Sequence, residues 1–153
     1  MRRYALLAGV LAAVMLAIAY WVLAPGKISG ADAGDQRLVG RGADVYATHC
    51  ASCHGKNLEG EPDWQTRKLT GELPAPPHDA SGHTWHHPDP QLFAIVKQGG
   101  QPFMPAGMRS AMPAYDAVLA DGDIWAALAF IKSRWPAEIR ARQEQITDAN
   151  RRR

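Results

Sequence analysis

The five residues Cys50-Ala51-Ser52-Cys53-His54 constrain this chain more than any other stretch. The pattern C-x-x-C-H attaches a c-type haem. Each thiol forms a thioether to a haem vinyl group, and the histidine on the same turn becomes an axial ligand of the iron. A C-x-x-C pair without that histidine would more often be a redox couple or half of a zinc site. Here the histidine follows at once, and the chain has no other cysteine. A zinc knuckle drawing on His49 would crowd four ligands into six residues, too close along the chain to close a tetrahedron comfortably. Haem attachment is the stronger reading. A chain of 153 residues then has room for one domain built around that group.

The N-terminus sends the motif out of the cytoplasm. Residues 1–4 are a short basic start with Arg2 and Arg3, and residues 5–24, ALLAGVLAAVMLAIAYWVLA, carry no charge. A helix of that length, at about 1.5 Å per residue, spans roughly 30 Å, the thickness of a bilayer's hydrocarbon core. The arginines mark the cytoplasmic end, and Tyr20 and Trp21 fall near the outer interface, where aromatic rings are favoured. A cleaved signal peptide is the rival reading, because Ala17-Ile18-Ala19 has the small-x-small form. The apolar run continues past that point, and Pro25 disfavours cleavage at its end. A single-pass anchor in a bacterial inner membrane, with the haem domain in the periplasm, is therefore expected. Residues 25–36, rich in Gly, Ala, Ser and Asp, read as a flexible linker.

Charge is unevenly spread. Residues 28–123 hold seven Lys/Arg against twelve Asp/Glu, whereas residues 124–153 hold seven against three. Haem propionates would make the central part more acidic still. Basic groups are sparse in the folded part and collect only in the tail, which excludes a nucleic-acid footprint.

Periodicity predicts an all-α domain with long loops. Leu38, Gly42, Val45 and Tyr46 recur at helical spacing over about 37–50. Residues 55–88 contain five prolines and should be mostly irregular. Asp89 reads as an N-cap with Pro90 at the first helical position. It opens a helix through Leu92, Phe93, Ile95 and Val96 that Gly99-Gly100 stops. Residues 101–114 form a Met/Pro/Gly loop. Asp121 or Asp123 is the expected cap of a last apolar helix that Pro136 ends, and about 138–148 continue as a polar helix. The haem domain is thus expected over 37–136, and a polar, basic C-terminal extension over 137–153.

About residues 36–136 resemble a class I cytochrome c. Gly42 lies eight residues before Cys50 and Tyr46 four before, as in that family's N-terminal helix, where the glycine lets the C-terminal helix cross closely. Phe130 matches the aromatic that packs at the crossing. A small residue facing an aromatic across two helices is also ordinary core packing. The resemblance implies the class I cytochrome c fold, here behind a single N-terminal transmembrane helix. It also implies one haem c with its iron, bound covalently by Cys50 and Cys53, and His54 as the proximal iron ligand. The other ring nitrogen of His54 should donate to a backbone carbonyl, which the family supplies from a proline-containing loop. Pro62 and Pro74 both fit that role.

On the distal side the resemblance implies a methionine. Met104, Met108 and Met112 are spaced by four, but the surrounding prolines and Gly107 argue against a helical core stripe. Met112-Pro113-Ala114-Tyr115 is the closest match to the family's ligand loop and comes 18 residues before Phe130. Met104-Pro105 is a weaker match. A thioether is a soft ligand that raises the reduction potential.

His78, His83, His86 and His87 place four imidazoles in ten residues. They could bind copper or zinc, supply an alternative haem ligand or shape a partner surface. The simpler reading is a polar loop in which Trp85 packs on the haem or the core. The resemblance implies an electron carrier of a respiratory or related chain rather than an enzyme, because a saturated iron has no open position for substrate. Its partners would be redox proteins, an oxidoreductase or an oxidase complex, met at the inner membrane. The alternative is a haem subunit docked permanently in a membrane oxidoreductase complex. A haem sensor or small peroxidase comes third, and the Met112-Pro113 loop argues against it.

Overall fold

The computed structural model describes residues 13–16, which are helical, and residues 29–152. Among the described residues no helix is long and apolar enough to cross a membrane. The expected anchor at 5–24 lies, apart from 13–16, outside the described residues, and so do residues 25–28 of the expected linker.

Within 29–152 the chain forms α1 (Gln36–His49), α2 (Ala51–His54), α3 (Asp89–Gln98), α4 (Asp121–Ser133) and α5 (Ala137–Arg151). Two residue pairs, β1 (Glu72–Leu73) and β2 (Arg109–Ser110), run in parallel with Glu72 opposite Arg109 and Leu73 opposite Ser110. Short 3-10 turns at Thr84–His86 and Gln101–Phe103 punctuate the loops. The helices match the periodicity, and the irregular stretches match the prolines.

Asp35 starts α1: its carboxylate accepts from the amides of Arg37 (2.9 Å) and Leu38 (3.2 Å), two donors that a helix start would otherwise leave unpaired. Just upstream, Ala31 is buried in the core, so the end of the expected linker is packed against the domain.

α1 and α4 cross at Gly42. A Cβ there would overlap the Ala126 carbonyl and sit 3.0 Å from the Phe130 Cβ, so only a hydrogen at this position permits the approach. One turn on, Tyr46 is 1% exposed and its ring lies 5.3 Å from that of Phe130. α3 joins this pair through Phe93, which stacks on Trp125 of α4 at 4.4 Å.

Two expected caps are corrected. Pro88, not Asp89, is the N-cap of α3, with its backbone extended and Asp89 at the first helical position. The Asp89 carboxylate is instead spent in the interior. Both its oxygens accept from the Lys132 ammonium of α4 (2.9 and 3.0 Å), and one also accepts from Gln143 Nε2 of α5 (2.7 Å). The Asp89 amide donates to the Thr147 hydroxyl of α5 at 3.0 Å. Likewise Ala120, not Asp121 or Asp123, is the N-cap of α4. Asp121 pairs with Lys97 and Asp123 with Arg41, each at 2.7 Å. Both acids still lie in the first turn, where the helix dipole favours them. The polar helix expected at 138–148 is present as α5, and the Asp89 cluster is what ties it down.

Gly42→Ala should lower the unfolding free energy by about 1–3 kcal/mol, because the crossing must open. Gly40→Ala, with nothing within 4 Å of its Cβ, should stabilise by up to about 1 kcal/mol on the same helix. Denaturant midpoints of the two variants check this, and equal midpoints would rule out the close approach.

The Asp89–Lys132 pair has side chains only 7% and 5% exposed. Lys132→Met should therefore cost about 3–5 kcal/mol, since it strands a buried carboxylate. Asp89→Asn/Lys132→Met should recover more than half of that loss in the same unfolding measurement.

Candidate functional site

α1 ends at Cys50, whose amide donates to the Tyr46 carbonyl, and the chain bends there into the single turn of α2. The His54 amide bonds the Cys50 carbonyl at 2.9 Å, so both cysteines and the histidine share one turn. Gly55 closes that turn at φ 80°, in the left-handed region where glycine is free of strain. The Tyr46 hydroxyl locks it from below, with the Gly55 carbonyl at 3.0 Å and the His54 carbonyl at 3.3 Å. Burial pushes the Tyr46 phenol well above its ordinary range, so it stays a donor.

Cys50 and Cys53 are both free thiols, Cys50 half-buried and Cys53 exposed. Burial first, and then the neighbouring Cys53, push the Cys50 thiol up to about 11. His54 is 7% exposed, and burial lowers its pKa, which favours the neutral imidazole that binds metal.

His54 Nδ1 is 2.8 Å from the Pro76 carbonyl. The partner is thus neither Pro62 nor Pro74, and the reason lies in how the loop is pinned. The Glu61 amide donates to the Ala75 carbonyl (2.9 Å), and the Glu61 carboxylate accepts from the Ala75 amide (2.6 Å). That amide, and then the Lys68 ammonium, hold the Glu61 carboxyl below its usual range. Gly60, at φ 68°, lies directly beneath this stretch: a Cβ there would press on Pro77 N at 2.5 Å and on the Pro76 carbonyl carbon at 2.7 Å. The strand of prolines therefore crosses over Gly60, and Pro76 is the residue whose carbonyl faces His54.

The distal loop is held from two sides. The Gly100 amide donates to the Met112 carbonyl (3.1 Å), and the Met112 amide donates to the Ser110 hydroxyl (3.2 Å). Tyr115 bonds the end of α3 through its amide and the His49 carbonyl through its hydroxyl, at 2.6 Å. Met112 is thereby tied both to the glycine stop of α3 and to the residue before Cys50. Met104 follows the 3-10 turn, with its amide on the Gln101 carbonyl, and the Met108 amide bonds the Pro105 carbonyl. All three methionines are half-buried.

The four loop histidines part company. His78 turns inward and stacks on His54. His83 stacks on Trp64, His87 lies edge-on to His83, and His86 stacks on Trp85. Among the described residues no group of three His, Cys, Asp or Glu is arranged to hold a metal ion. Trp85 packs against the core, as the simpler reading of this loop expects of it, with the Arg142 guanidinium 5.3 Å from its ring centre, while the inward turn of His78 departs from that reading.

Sequence reasoning missed Pro76, Gly60, Glu61 and the inward turn of His78. The run Pro74-Ala75-Pro76-Pro77-His78 was the available signal, but it lacks a register without Gly60. The residues present fit a haem. Two free thiols and a buried imidazole share a turn, and the indole N–H of Trp85 is buried with no partner, a donor suited to a porphyrin carboxylate.

The family model "Cytochrome c" matches residues 39–135. A 44-residue stretch is 40% identical to the Cbb3-type cytochrome c oxidase subunit FixP of Azorhizobium caulinodans. It covers 29% of this chain and 15% of that protein. The structure of cytochrome cL from the marine methylotroph Methylophaga aminisulfidivorans aligns over 82% of this chain and 85% of its own, with 19% identity and a TM-score of 0.49. The matched span holds the C-x-x-C-H turn, the Gly42 crossing and the methionine loop: the chain belongs to the cytochrome c family, and with it carries a covalently bound haem c.

Proposed function

We propose that this electron-transfer protein is a tethered one-electron carrier of a respiratory or related chain. Cys50 and Cys53 would hold its haem, and His54 and Met112 would bind the iron. The observation that carries the reading is His54. It closes a turn with two free thiols, and its Nδ1 is spent on Pro76, which leaves Nε2 for the metal. When bound, the haem supplies a ferrous/ferric couple. The chain's own residues do the rest. Pro76 holds the tautomer of His54, Tyr46 holds the turn, and Gly99-Gly100 and Ser110 hold the backbone of Met112.

With His54 and Met112 both given to the iron, no position would be left for a substrate, which favours electron passage over further chemistry. The uncharged run at 5–24 supports a single-pass anchor in a bacterial inner membrane, with the domain in the periplasm at a raised effective concentration near its partners. The 44-residue likeness to an oxidase subunit favours a second reading, a haem subunit docked permanently in a membrane oxidoreductase complex.

The wild-type protein, made with a c-type maturation system, should keep its haem through acid–organic extraction. Its ferric spectrum should show the weak near-red band of sulfur–iron ligation. Met112→Ala should abolish that band and lower the potential, while Met104→Ala keeps it. The reverse pattern would make Met104 the ligand.

Detergent-solubilised full-length chain should elute alone and bear residues 5–24 by intact mass. Co-purification in a stable complex would favour the subunit reading, and a mature N-terminus at Tyr20 would mean a freely diffusing cytochrome.

A further inference from the structure

An imidazole turns easily about its Cβ–Cγ bond, a torsion with a broad minimum. A carbonyl oxygen also accepts hydrogen bonds over a wide range of angles. The bond to Pro76 therefore fixes where His54 Nδ1 sits and leaves the tilt of the ring loosely set. A second contact removes that freedom. The ring of His78 lies over that of His54, with centroids 3.9 Å apart and planes only 22° from parallel.

His78 is held at several points. Its amide donates to the Leu58 carbonyl at 2.8 Å, and its own carbonyl accepts from the Trp135 indole at 2.7 Å. Leu58 takes a left-handed backbone (φ 72°), costly for a leucine, and its carbonyl receives the amides of both His78 and Asp79. The edge of the Tyr46 ring closes another side, with centroids 6.3 Å apart and planes at 71°. His78 Nδ1 is 2.8 Å from the Thr84 hydroxyl, which itself donates to the Pro77 carbonyl at 3.4 Å. The short contact to Thr84 pins the His78 ring whichever of the two groups carries the proton. A leucine would fill the same volume, but only a flat ring with a polar anchor defines a plane.

We propose that His78 is a positioning residue that sets the plane of the His54 imidazole: Thr84 fixes the His78 ring, and the stack passes that orientation to His54. The inference rests on His54 being the proximal ligand. The orientation of an axial imidazole governs its overlap with the iron orbitals, and hence the anisotropy of the ferric low-spin resonance and the reduction potential.

The test uses the mature haem-loaded protein, with electron paramagnetic resonance and potentiometry as readouts. His78→Phe keeps a flat ring but loses the bond to Thr84, and should broaden the largest g value less than His78→Leu does. His78→Leu keeps the volume without the plane, and should shift or broaden the largest g value and move the potential. Thr84→Val leaves His78 unpinned and should broaden the same resonance, which keeps the inference testable if His78→Leu fails to mature. Wild-type resonance and potential in His78→Leu or Thr84→Val would overturn the proposal, and so would equal shifts in His78→Phe and His78→Leu. A wild-type spectrum without low-spin histidine ligation would instead overturn the His54 assignment.

Discussion

At Gly42 the backbones of α1 and α4 meet with no side chain between them, and the haem-binding turn is built outward from that contact. Along α1, one turn takes the chain to Tyr46 and the next to Cys50. Along α4, Phe130 packs on Tyr46, and just past the helix end Trp135 reaches the His78 carbonyl. The two helices thus leave one crossing and arrive at the two ends of the proximal site. A crossing opened by even a methyl group would move the cysteine turn and the proline loop apart. Close packing transmits such shifts, because an interior without voids has no slack to absorb them.

A second anchor ties the C-terminal helix to the domain. Asp89, Lys132, Gln143 and Thr147 draw α3, α4 and α5 into one buried polar cluster. Such a cluster adds little net stability over an apolar core, since desolvation offsets most of the attraction. What it does supply is register. An α5 of low apolar content, with few hydrophobic contacts, can dock in only one place if its Gln143 must meet Asp89 and the His87 carbonyl. That docking also lays Arg142 over Trp85, so the basic extension covers the loop that follows the proximal site.

The legible parts of the sequence were those whose physics is local. The cysteine turn follows from covalent chemistry, and the helices from apolar spacing. The Gly42 contact was readable from the resemblance to class I cytochromes c, whose N-terminal helix carries a glycine at that place for a close helix crossing. The caps misled because carboxylates at helix starts have two uses. Asp89 met a buried ammonium that sequence distance concealed, and Asp121 and Asp123 met Lys97 and Arg41 from other helices. Pro76 was hidden for a related reason. Which of several prolines reaches His54 depends on where the chain crosses Gly60, and that crossing is set by contacts fourteen to seventeen residues away in sequence. His78 drew attention as one of a cluster of imidazoles, yet its role comes from leaving that cluster.

Electron transfer rewards a site that moves little when the charge on its metal changes. The proximal side meets that demand by layering constraints of different kinds. Covalent attachment at the cysteines fixes position, the bond to Pro76 fixes a point on the ring, and the stack on His78 fixes a plane. Behind these stand groups that would each have to break a hydrogen bond to yield: Tyr46, Thr84 and Trp135. The distal side is held more lightly, by backbone bonds across a loop of methionines, prolines and glycines. If Met112 is the ligand proposed above, that asymmetry would suit a soft thioether donor, whose flexible side chain adapts while its backbone stays in place. On the proposed ligation, a rigid imidazole and an adaptable thioether would let the site accept and release an electron with the protein around it almost still.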